Sequence, residues 1–289
     1  MAADHQTISQ RSLDRTLEPL SYPVGGRDGH PLRISAVVCA YNEADRIRGI
    51  LDAVHGHPAL AELIVVNDGS TDDTDALLAE YPSIQVISYT PNRGKTYALA
   101  RGAAAASGDF LMLLDADLEG VTAADVQALA DPVIGGRALV SISLRRNSLL
   151  LYRLIGLDFV SGERVIPAGL LKGEVETMEC LPRWGGESFI NELIVRRQLP
   201  ISVVDWPGVL NVRKHRKLGR WRGIAAELSM VRDALRVLSA WGVIRQNIAL
   251  LRLVRRRRPA TKAEGSGGNI LRYPLPKTAS DQPVEQQHQ

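Results

Sequence analysis

Short apolar runs alternate with amphipathic segments from residue 34 to residue 157. Consecutive apolar residues predict buried strands, and apolar residues three and four positions apart predict helices. The predicted strands are Ile34–Ala40, Leu63–Val66, Ile84–Tyr89 and Phe110–Leu114, and the predicted helices are Ala44–Val54, Asp73–Glu80 and Thr96–Ala106. The alternation continues through Ala124–Leu129, Ala138–Leu144 and Ser148–Leu157. Strands that alternate with helices imply parallel crossovers, so we expect an α/β fold with a Rossmann-like, doubly wound and mostly parallel sheet.

The pattern changes after residue 200. Residues 201–212 form another extended stretch, which Pro207 and Gly208 interrupt. Apolar residues then recur at helical spacing from Trp221 to Leu238, and a second helix is predicted over about Val243–Val254. We therefore expect a main domain over residues 33–220 and a helical C-terminal appendage over residues 221–258. Polar residues 1–32 and the Gly-, Ser-, Pro- and Gln-rich residues 259–289 predict disordered tails.

Composition narrows the class of protein. The chain has 289 residues, 45% of them hydrophobic, which is enough to bury a sizeable core. Two cysteines, Cys39 and Cys180, exclude a disulfide scaffold and suit a reducing compartment. The N-terminal segment is too polar for a secretory signal, and no stretch reaches the roughly 18 apolar residues of a spanning helix. These features predict a cytoplasmic location.

Positive charge is concentrated in the last third of the chain. Residues 213–258 contain fourteen lysines and arginines against two acids, Glu227 and Asp233. Such a segment predicts an anionic partner, for which an anionic bilayer is one candidate, with Trp221 and Trp241 near the helix starts. A pair of packing helices with a solvated arginine rim is the alternative. Nucleic acid is not expected as a partner, because no recognition motif accompanies the charge.

Two carboxylates, Asp115 and Asp117, follow the predicted strand Phe110–Leu114. Residues i and i+2 of a strand face the same side, and open α/β sheets bind ligands at the carboxyl ends of their strands. Like charges held so close repel unless a cation lies between them. With Glu119 as a further oxygen ligand, the pattern predicts a Mg²⁺ or Mn²⁺ site. A surface turn rich in aspartate is the alternative.

Polar clusters also follow the first two predicted strands, as AYNEAD at residues 40–45 and NDGSTDDT at residues 67–74. The Tyr41 ring could lie against a nucleobase, and Glu43 could accept hydrogen bonds from ribose hydroxyls. Asn67 and Asp68 lie at a strand end, where the edge of a base could be read. Alternatively, Asn42 and Glu43 only begin a helix, since the first helical turn favours acids.

Two familiar phosphate-binding patterns are excluded. The dinucleotide fingerprint G-x-G-x-x-G does not follow the first strand, which argues against an NAD-type site. The segment PNRGKT at residues 91–96 lacks a P-loop glycine, because Tyr89 stands five positions before Gly94. Lys95, at a predicted helix start, could still contact a phosphate or a carboxylate.

The motifs AYNEAD, VVNDGSTDDT, NRGK and DADLE, in this order, resemble the nucleotide-binding half of family 2 glycosyltransferases of the GT-A fold. The resemblance covers about residues 33–145. It continues more loosely in SLRR (143–146), DFVSGER (158–164), WGGESFINELIVRR (184–197) and VRKHRKLGR (212–220). Together these segments are most similar to the branch that glycosylates polyprenyl and dolichyl phosphates.

The resemblance implies a role for each matching position. On the donor side, the base and ribose would be held by Tyr41, Glu43 and Asn67. The nucleotide sugar would be contacted by Asp68, Lys95, Asp115 and Ala116. The metal would be ligated by Asp115, Asp117 and Glu119. The diphosphate or acceptor phosphate would be neutralised by Arg145, Arg213 and Lys217, and the acceptor side formed in part by Ser161 and Arg164. Three departures from the family pattern are Asn67 for aspartate, Glu119 for glutamine, and the missing Gly-x-Ser-Lys form in residues 212–220.

The resemblance further implies an inverting, metal-dependent transfer from a UDP- or GDP-sugar to a polyprenyl-phosphate-type lipid at the inner membrane face. A phosphate acceptor is already ionised and needs no general base, whereas a hydroxyl acceptor needs a carboxylate to take its proton. Glu187 is the candidate for that base, unless it is only an acid at a helix start. The alternatives are the same chemistry on phosphoglycerate or a saccharide, and a non-catalytic module that binds nucleotide sugars or anionic surfaces.

Overall fold

The computed structural model describes residues 21–23, 31–148, 150–211, 240–254 and 270–272. The strands are β1 (Ser21–Pro23), β2 (Ile34–Ala40), β3 (Glu62–Asn67), β4 (Gln85–Ser88), β5 (Phe110–Asp115), β6 (Leu118–Glu119), β7 (Val140–Arg145), β8 (Arg164–Pro167), β9 (Ile201–Trp206), β10 (Leu210–Asn211) and β11 (Ile270–Arg272). The helices are α1 (Ile47–Val54), α2 (Thr74–Leu78), α3 (Lys95–Ala105), α4 (Ala123–Ile134), α5 (Leu150–Ile155), α6 (Ala168–Lys172), α7 (Val175–Glu179), α8 (Gly186–Arg196) and α9 (Ala240–Leu253).

The core is a seven-stranded sheet with the strand order β4-β3-β2-β5-β8-β7-β9. Strands β4, β3, β2 and β5 are parallel, as are β7 and β9, whereas β8 runs antiparallel to both of its neighbours. The α/β, mostly parallel sheet predicted from the alternation is therefore confirmed. The reversed strand was not predicted, because β8 is only four residues long and a strand's direction leaves no mark on its own sequence.

The centre of the sheet is buried on both faces, which explains why its strands are nearly continuous apolar runs. In β2 every residue is buried except Cys39, which is partly so, and β5 is buried from Phe110 to Leu114. Helix α3 packs on this layer through alanines and Gly102, which lies directly against Val37 and leaves no room for a β-carbon. This close approach fixes α3 over β2 and brings its first residue, Lys95, to the edge of the sheet.

Several element boundaries differ from those predicted. Helix α1 begins at Ile47 rather than Ala44, because residues 44–46 form a turn. Helix α4 is longer than expected and begins with a capping box between Thr122 and Asp125. The extended stretch 201–212 is divided by the turn at residues 207–208 into β9 and β10.

The ends of the chain also depart from the prediction. Strands β1 and β11 pair antiparallel, so the predicted disordered tails are wrong at these six residues. Three-residue strands are too short to leave an alternating pattern in the sequence. The predicted helix from Trp221 to Leu238 lies outside the described residues, whereas α9 falls within the predicted appendage. In the described part of the chain, no helix has both the length and the apolar composition needed to span a membrane.

Candidate active site

The candidate site lies where the chain direction switches across the sheet. From β2 the chain passes to β3 and β4 on one side, and α3 then returns it to β5 on the other side. Cys39 of β2 is the register partner of Asp115 of β5, and Ala40 is the partner of Asn67. Such a switch point at the carboxyl ends of parallel strands is the usual ligand crevice of open α/β sheets.

The reversed strand β8 brings a further loop to the same edge. Arg164, its first residue, is the register partner of Leu113 in β5 and of Ile142 in β7. Residues 158–163, which precede β8, therefore lie beside the carboxyl ends of β5 and β7. This geometry unites the predicted donor-side and acceptor-side segments in one region.

The loops after β2 and β3 are tied together by short-range bonds. The Asn42 side chain accepts a hydrogen bond from the Thr71 backbone at 2.8 Å, and the Asn42 backbone donates to the Ser70 hydroxyl at 3.0 Å. Tyr41 keeps 45% of its surface exposed, so its ring is accessible for stacking on a base, which stays a prediction. Glu43 lies 3.2 Å from Arg46 Nε, and its backbone donates to Thr74.

Asn67 and Asp68 have structural partners that the sequence did not reveal. The Asn67 amide donates to Asp75 at 2.5 Å, and its oxygen accepts from the Ser70 backbone at 3.0 Å. Both residues are almost fully buried. The geometry therefore gives Asn67 a part in shaping the loop after β3, rather than the predicted contact with a base.

Asp68 anchors the turn that leads into α3. Its two carboxylate oxygens accept hydrogen bonds from the backbone amides of Arg93 at 2.7 Å and Gly94 at 2.8 Å, and from the Asn92 side chain at 2.9 Å. Gly94 has φ +98°, a conformation that favours glycine. The predicted reading of a base edge by Asp68 is not supported by this geometry, because the turn already occupies its oxygens.

Lys95 connects Asp115, at the end of β5, with Glu187, at the start of α8. Its Nζ lies 2.6 Å from Asp115 Oδ1 and 2.7 Å from Glu187 Oε1, and all three side chains are largely buried. Burial would lower the pKa of Lys95, but the two carboxylates outweigh it and raise the pKa above its ordinary value. The ammonium group is therefore a fixed internal cation. Lys95 thus pairs with two carboxylates of the chain itself, and its contact with a bound donor stays a prediction.

The position of Glu187 depends on a buried hydroxyl at the start of α3. Thr96 Oγ1 accepts a hydrogen bond from the Gly186 backbone at 3.0 Å and lies 2.9 Å from the carbonyl oxygens of Pro182 and Arg183. The Thr96 backbone also donates to the Arg183 carbonyl at 3.1 Å. The start of α3 thus holds the start of α8, so that Glu187 and Lys95 meet. Sequence reasoning missed Thr96 because its partners lie about 90 residues away.

Asp115 is covered by the loop before β8. A β-carbon at Gly162 would lie 2.8 Å from both carboxylate oxygens of Asp115 and from Lys95 Nζ. Only glycine lets the two segments approach so closely. Gly162 was part of the motif DFVSGER, but its reason for being glycine could be read only from the fold.

Asp117 does not continue the strand. Strand β5 ends at Asp115, and Ala116 and Asp117 form a turn, so the expectation that both carboxylates project together from one strand is wrong. Asp117 Oδ1 accepts a hydrogen bond from Asn211 Nδ2 at 3.1 Å, across the β6–β10 pair. Ala116 is buried, and Glu119 is exposed on β6.

Asp115 and Asp117 fit a divalent cation whose remaining ligands a bound donor would supply. In the ranges that the structure describes, no group of three or more His, Cys, Asp or Glu side chains converges as a metal site. The predicted set of Asp115, Asp117 and Glu119 is therefore not assembled as three ligands. Magnesium, however, is commonly held by one or two carboxylates together with phosphates of the substrate. Asp115 and Asp117 can supply those carboxylates.

Arg145 lies in a buried acidic network rather than in an open anion site. Its guanidinium lies 3.0 Å from Glu163 and 3.5 Å from Asp158, and both acids are almost fully buried. Burial would lower the pKa of Arg145, but these acids outweigh it and raise the pKa. The Ser143 and Ser161 hydroxyls also donate to Glu163. The geometry gives Arg145 a supporting position, because two carboxylates already balance its charge.

The predicted acceptor-side residues are likewise interior. Ser161 is fully buried and donates to Glu163 at 2.6 Å. Arg164 is fully buried, donates to Asn191 at 2.8 Å and to the Ser161 carbonyl, and burial lowers its pKa. These two side chains hold the loop before β8 in place instead of facing an acceptor. Arg213 and Lys217 lie outside the described residues.

Comparison with known proteins agrees with this geometry. The model of the family "Glycosyl transferase family 2" matches residues 35–150. A dolichyl-phosphate beta-glucosyltransferase of Trichomonas vaginalis is 29% identical over 43% of this chain and 44% of its own length. A poly-beta-1,6-N-acetyl-D-glucosamine synthase of Staphylococcus epidermidis is 35% identical over 29% of this chain and 21% of its own length. The chain thus spans less than half of the length of these curated relatives.

Solved structures extend the similarity beyond the nucleotide-binding half. Glucosyl-3-phosphoglycerate synthase of Mycobacterium tuberculosis, in complex with Mn²⁺, UDP-glucose and phosphoglyceric acid, is 25% identical, with a TM-score of 0.57 over 71% of this chain and 80% of the other. The complex of that enzyme with phosphoglyceric acid alone gives a TM-score of 0.56 over the same shares. Together with the sheet order, these similarities confirm the GT-A type of α/β fold. Residues 35–150 are thus the part of the chain that matches the glycosyl transferase family 2 model.

Proposed function

We propose that this chain transfers a sugar from a UDP- or GDP-sugar to an acceptor phosphate, with a polyprenyl-phosphate-type lipid as that acceptor. The observation that carries the proposal is the bridge from Asp115 through Lys95 to Glu187 at the switch point of the sheet. Lys95 lies between Asp115 and Glu187, and in the proposed reaction Asp115 would serve the donor and Glu187 would lie on the acceptor side.

The donor crevice is supported by its chemistry. Tyr41 offers an exposed ring for a nucleobase, and Asp115 and Asp117 offer hard oxygen ligands at the strand end where a diphosphate would lie. When bound, Mg²⁺ or Mn²⁺ would stabilise the negative charge that grows on the departing diphosphate. Lys95 holds Asp115 in position, and Gly162 closes one side of that carboxylate.

The ion pair between Glu187 and Lys95 favours an acceptor group that is already ionised, such as a phosphate. Glu187 lies 2.7 Å from the buried Lys95 ammonium, so it would have to leave that ion pair to act on an acceptor hydroxyl. A hydroxyl acceptor needs a base, whereas an ionised phosphate needs only to be positioned. Attack by the phosphate from the face opposite the diphosphate inverts the anomeric carbon. The dolichyl-phosphate relative supports the same class of acceptor.

A second candidate is transfer to the hydroxyl of a small phosphorylated acid. The similarity to glucosyl-3-phosphoglycerate synthase, which extends over 71% of this chain, favours it. In that reaction Glu187 would have to exchange its ion pair for a proton from the acceptor.

The two candidates are separated by acceptor assays on the same variant. The full chain is incubated with Mn²⁺ and a panel of UDP- and GDP-sugars, with either polyprenyl phosphate in detergent or phosphoglycerate, and nucleoside diphosphate release is measured. With a phosphate acceptor, E187Q should keep activity within about tenfold of wild type, because no proton is taken up. With a hydroxyl acceptor, loss of the base should cost about 10²–10⁴-fold.

A matched control is E179Q. Glu179 forms an ion pair with Arg101 at 3.5 Å, and both side chains are partly exposed. This substitution should leave either activity unchanged. Release of nucleoside diphosphate with phosphoglycerate but not with polyprenyl phosphate would contradict the lipid proposal. Absence of transfer with every donor would contradict catalysis itself.

A further inference from the structure

Helix α9 has two chemically different faces. On its inner face, Gln246 and Leu250 are buried. Gln246 Nε2 donates hydrogen bonds to the Ser188 carbonyl at 3.1 Å and to Glu192 at 3.0 Å. Val254, just after the helix, forms a bridge with β9. The helix is thus attached to the domain along one side.

The opposite side carries large apolar side chains in solvent. Trp241 is 73% exposed, Ile244 49% and Ile248 47%. Their spacing of three and four residues places them on one face of the helix, and exposed Arg245 and Arg252 fall on the same face. We call these five residues the outer face of α9. Single exposed apolar residues are ordinary, but an apolar stripe beside arginines is typical of helices that lie in a membrane interface.

We infer that the outer face of α9 docks on an anionic lipid bilayer. Charge complementarity selects this occupant, because arginines flank the apolar stripe and the sequence places Arg255–Arg258 directly after it. In such docking the tryptophan and isoleucines enter the boundary between headgroups and acyl chains, while the arginines pair with lipid phosphates. A second copy of the chain would gain the apolar contacts but would meet arginines with arginines.

The docking surface is connected to the candidate site. Ser188, whose carbonyl accepts from Gln246, follows Glu187 directly in the first turn of α8. A bilayer on the outer face would therefore lie about one helix diameter, roughly 10 Å, beyond α8. Supply of a lipid-phosphate acceptor from that bilayer rests on the proposed function, whereas docking itself needs neither donor nor acceptor.

Co-sedimentation of the full chain with vesicles tests the inference. We expect binding to vesicles of phosphatidylglycerol and phosphatidylcholine, weak binding to phosphatidylcholine alone, and release as salt is added. Replacement of both arginines (R245Q/R252Q) should weaken binding by about 25-fold, since each contributes about fivefold near an anionic surface. Replacement of both isoleucines (I244S/I248S) should weaken it by about tenfold or more.

The matched control is V86S/I134S, which changes two apolar residues of similar exposure, 40% and 39%, elsewhere on the surface. It should bind vesicles as wild type does. All variants should keep the wild-type Tm, because the altered side chains are exposed. Quenching of tryptophan fluorescence by brominated lipids should fall in W241F, which reports on the depth of this one residue.

Three results would overturn the inference. One is no binding to anionic vesicles at low salt. Another is binding that I244S/I248S leaves unchanged. The third is a wild-type dimer that I244S/I248S converts to monomer without loss of vesicle binding, which would make the outer face a contact between copies. Failure of docking with intact transfer to detergent-solubilised acceptor would refute the docking alone and leave the proposed function standing.

Discussion

Replacement of Lys95 by methionine should destabilise the protein far more than loss of a surface ion pair. Lys95, Asp115 and Glu187 keep only 16%, 18% and 12% of their side-chain surface exposed. Removal of the cation leaves two buried carboxylates without a counter-charge, which typically costs about 3–5 kcal/mol. In a domain of this size such a loss corresponds to a fall in Tm of about 10 °C.

The matched control is Arg48→Met. Arg48 pairs with Glu80 at 2.7 Å, the same distance as between Lys95 and Glu187, but with half of each side chain exposed. Water already screens that pair, so R48M should leave the Tm almost unchanged. Differential scanning fluorimetry of K95M, R48M and wild type measures both effects. Equal shifts in the two variants would refute the importance of burial at the site.

The pH dependence of K95M gives an independent check. Because the folded-state pKa of Lys95 is raised, its contribution to stability is fully present below the unfolded lysine value of about 10.4 and is lost as the pH rises through the folded value. The difference in free energy of unfolding between wild type and K95M should therefore stay level from about pH 6 to 9 and shrink above about pH 10. If the difference in free energy of unfolding changed strongly between about pH 6 and 9, an ionisable group other than Lys95 would be responsible.

Three further outcomes test other parts of the structure. D117N should abolish the Mn²⁺-dependent rise in Tm that a nucleoside diphosphate produces, and an unchanged rise would contradict the metal assignment. G162A should lower kcat by about 10²-fold by displacing Asp115, whereas G173A, with open space around its α-carbon, should not; equal rates in both would refute the close approach. Burial raises the pKa of Glu62, but hydrogen bonds from serine hydroxyls and backbone amides lower it overall, so its stabilisation is present above about pH 4.3 and lost as the pH falls through the folded value. E62Q should therefore show a flatter acid unfolding curve, and an unchanged curve would exclude this role.

The sequence predicted the parts of the fold that depend on local pattern. Strand β2 has the bounds that its apolar run predicts, and β5 is longer by one residue. The mostly parallel sheet followed from crossover rules rather than from any single residue, as did the expectation of a site at the carboxyl ends of its strands. The two carboxylates do follow β5, as the sequence predicted. The turn at Asp117 was not predicted, because two carboxylates at positions i and i+2 fit a turn as well as a strand.

The partners of charged side chains were the part that sequence could not supply. Arg145 and Arg164 looked like anion-binding residues, yet one is paired with Glu163 and Asp158 and the other is buried against Asn191. Those contacts exist only because β8 enters between β5 and β7, and strand direction is not encoded locally. An arginine in a motif shows that a charge is present, whereas only the fold shows whether another charge already satisfies it.

The reversed strand β8 divides the site into two separately adjustable regions. The crevice for the nucleotide is made by loops that leave parallel strands and lead into helices, so any change there must preserve the crossovers. The segment from residue 146 to residue 163 instead ends at a strand running the other way, and it must bring Gly162 against Asp115 and the acids Asp158 and Glu163 against Arg145. Apart from these contacts, a change within this segment leaves the parallel crossovers on the other side of the site untouched.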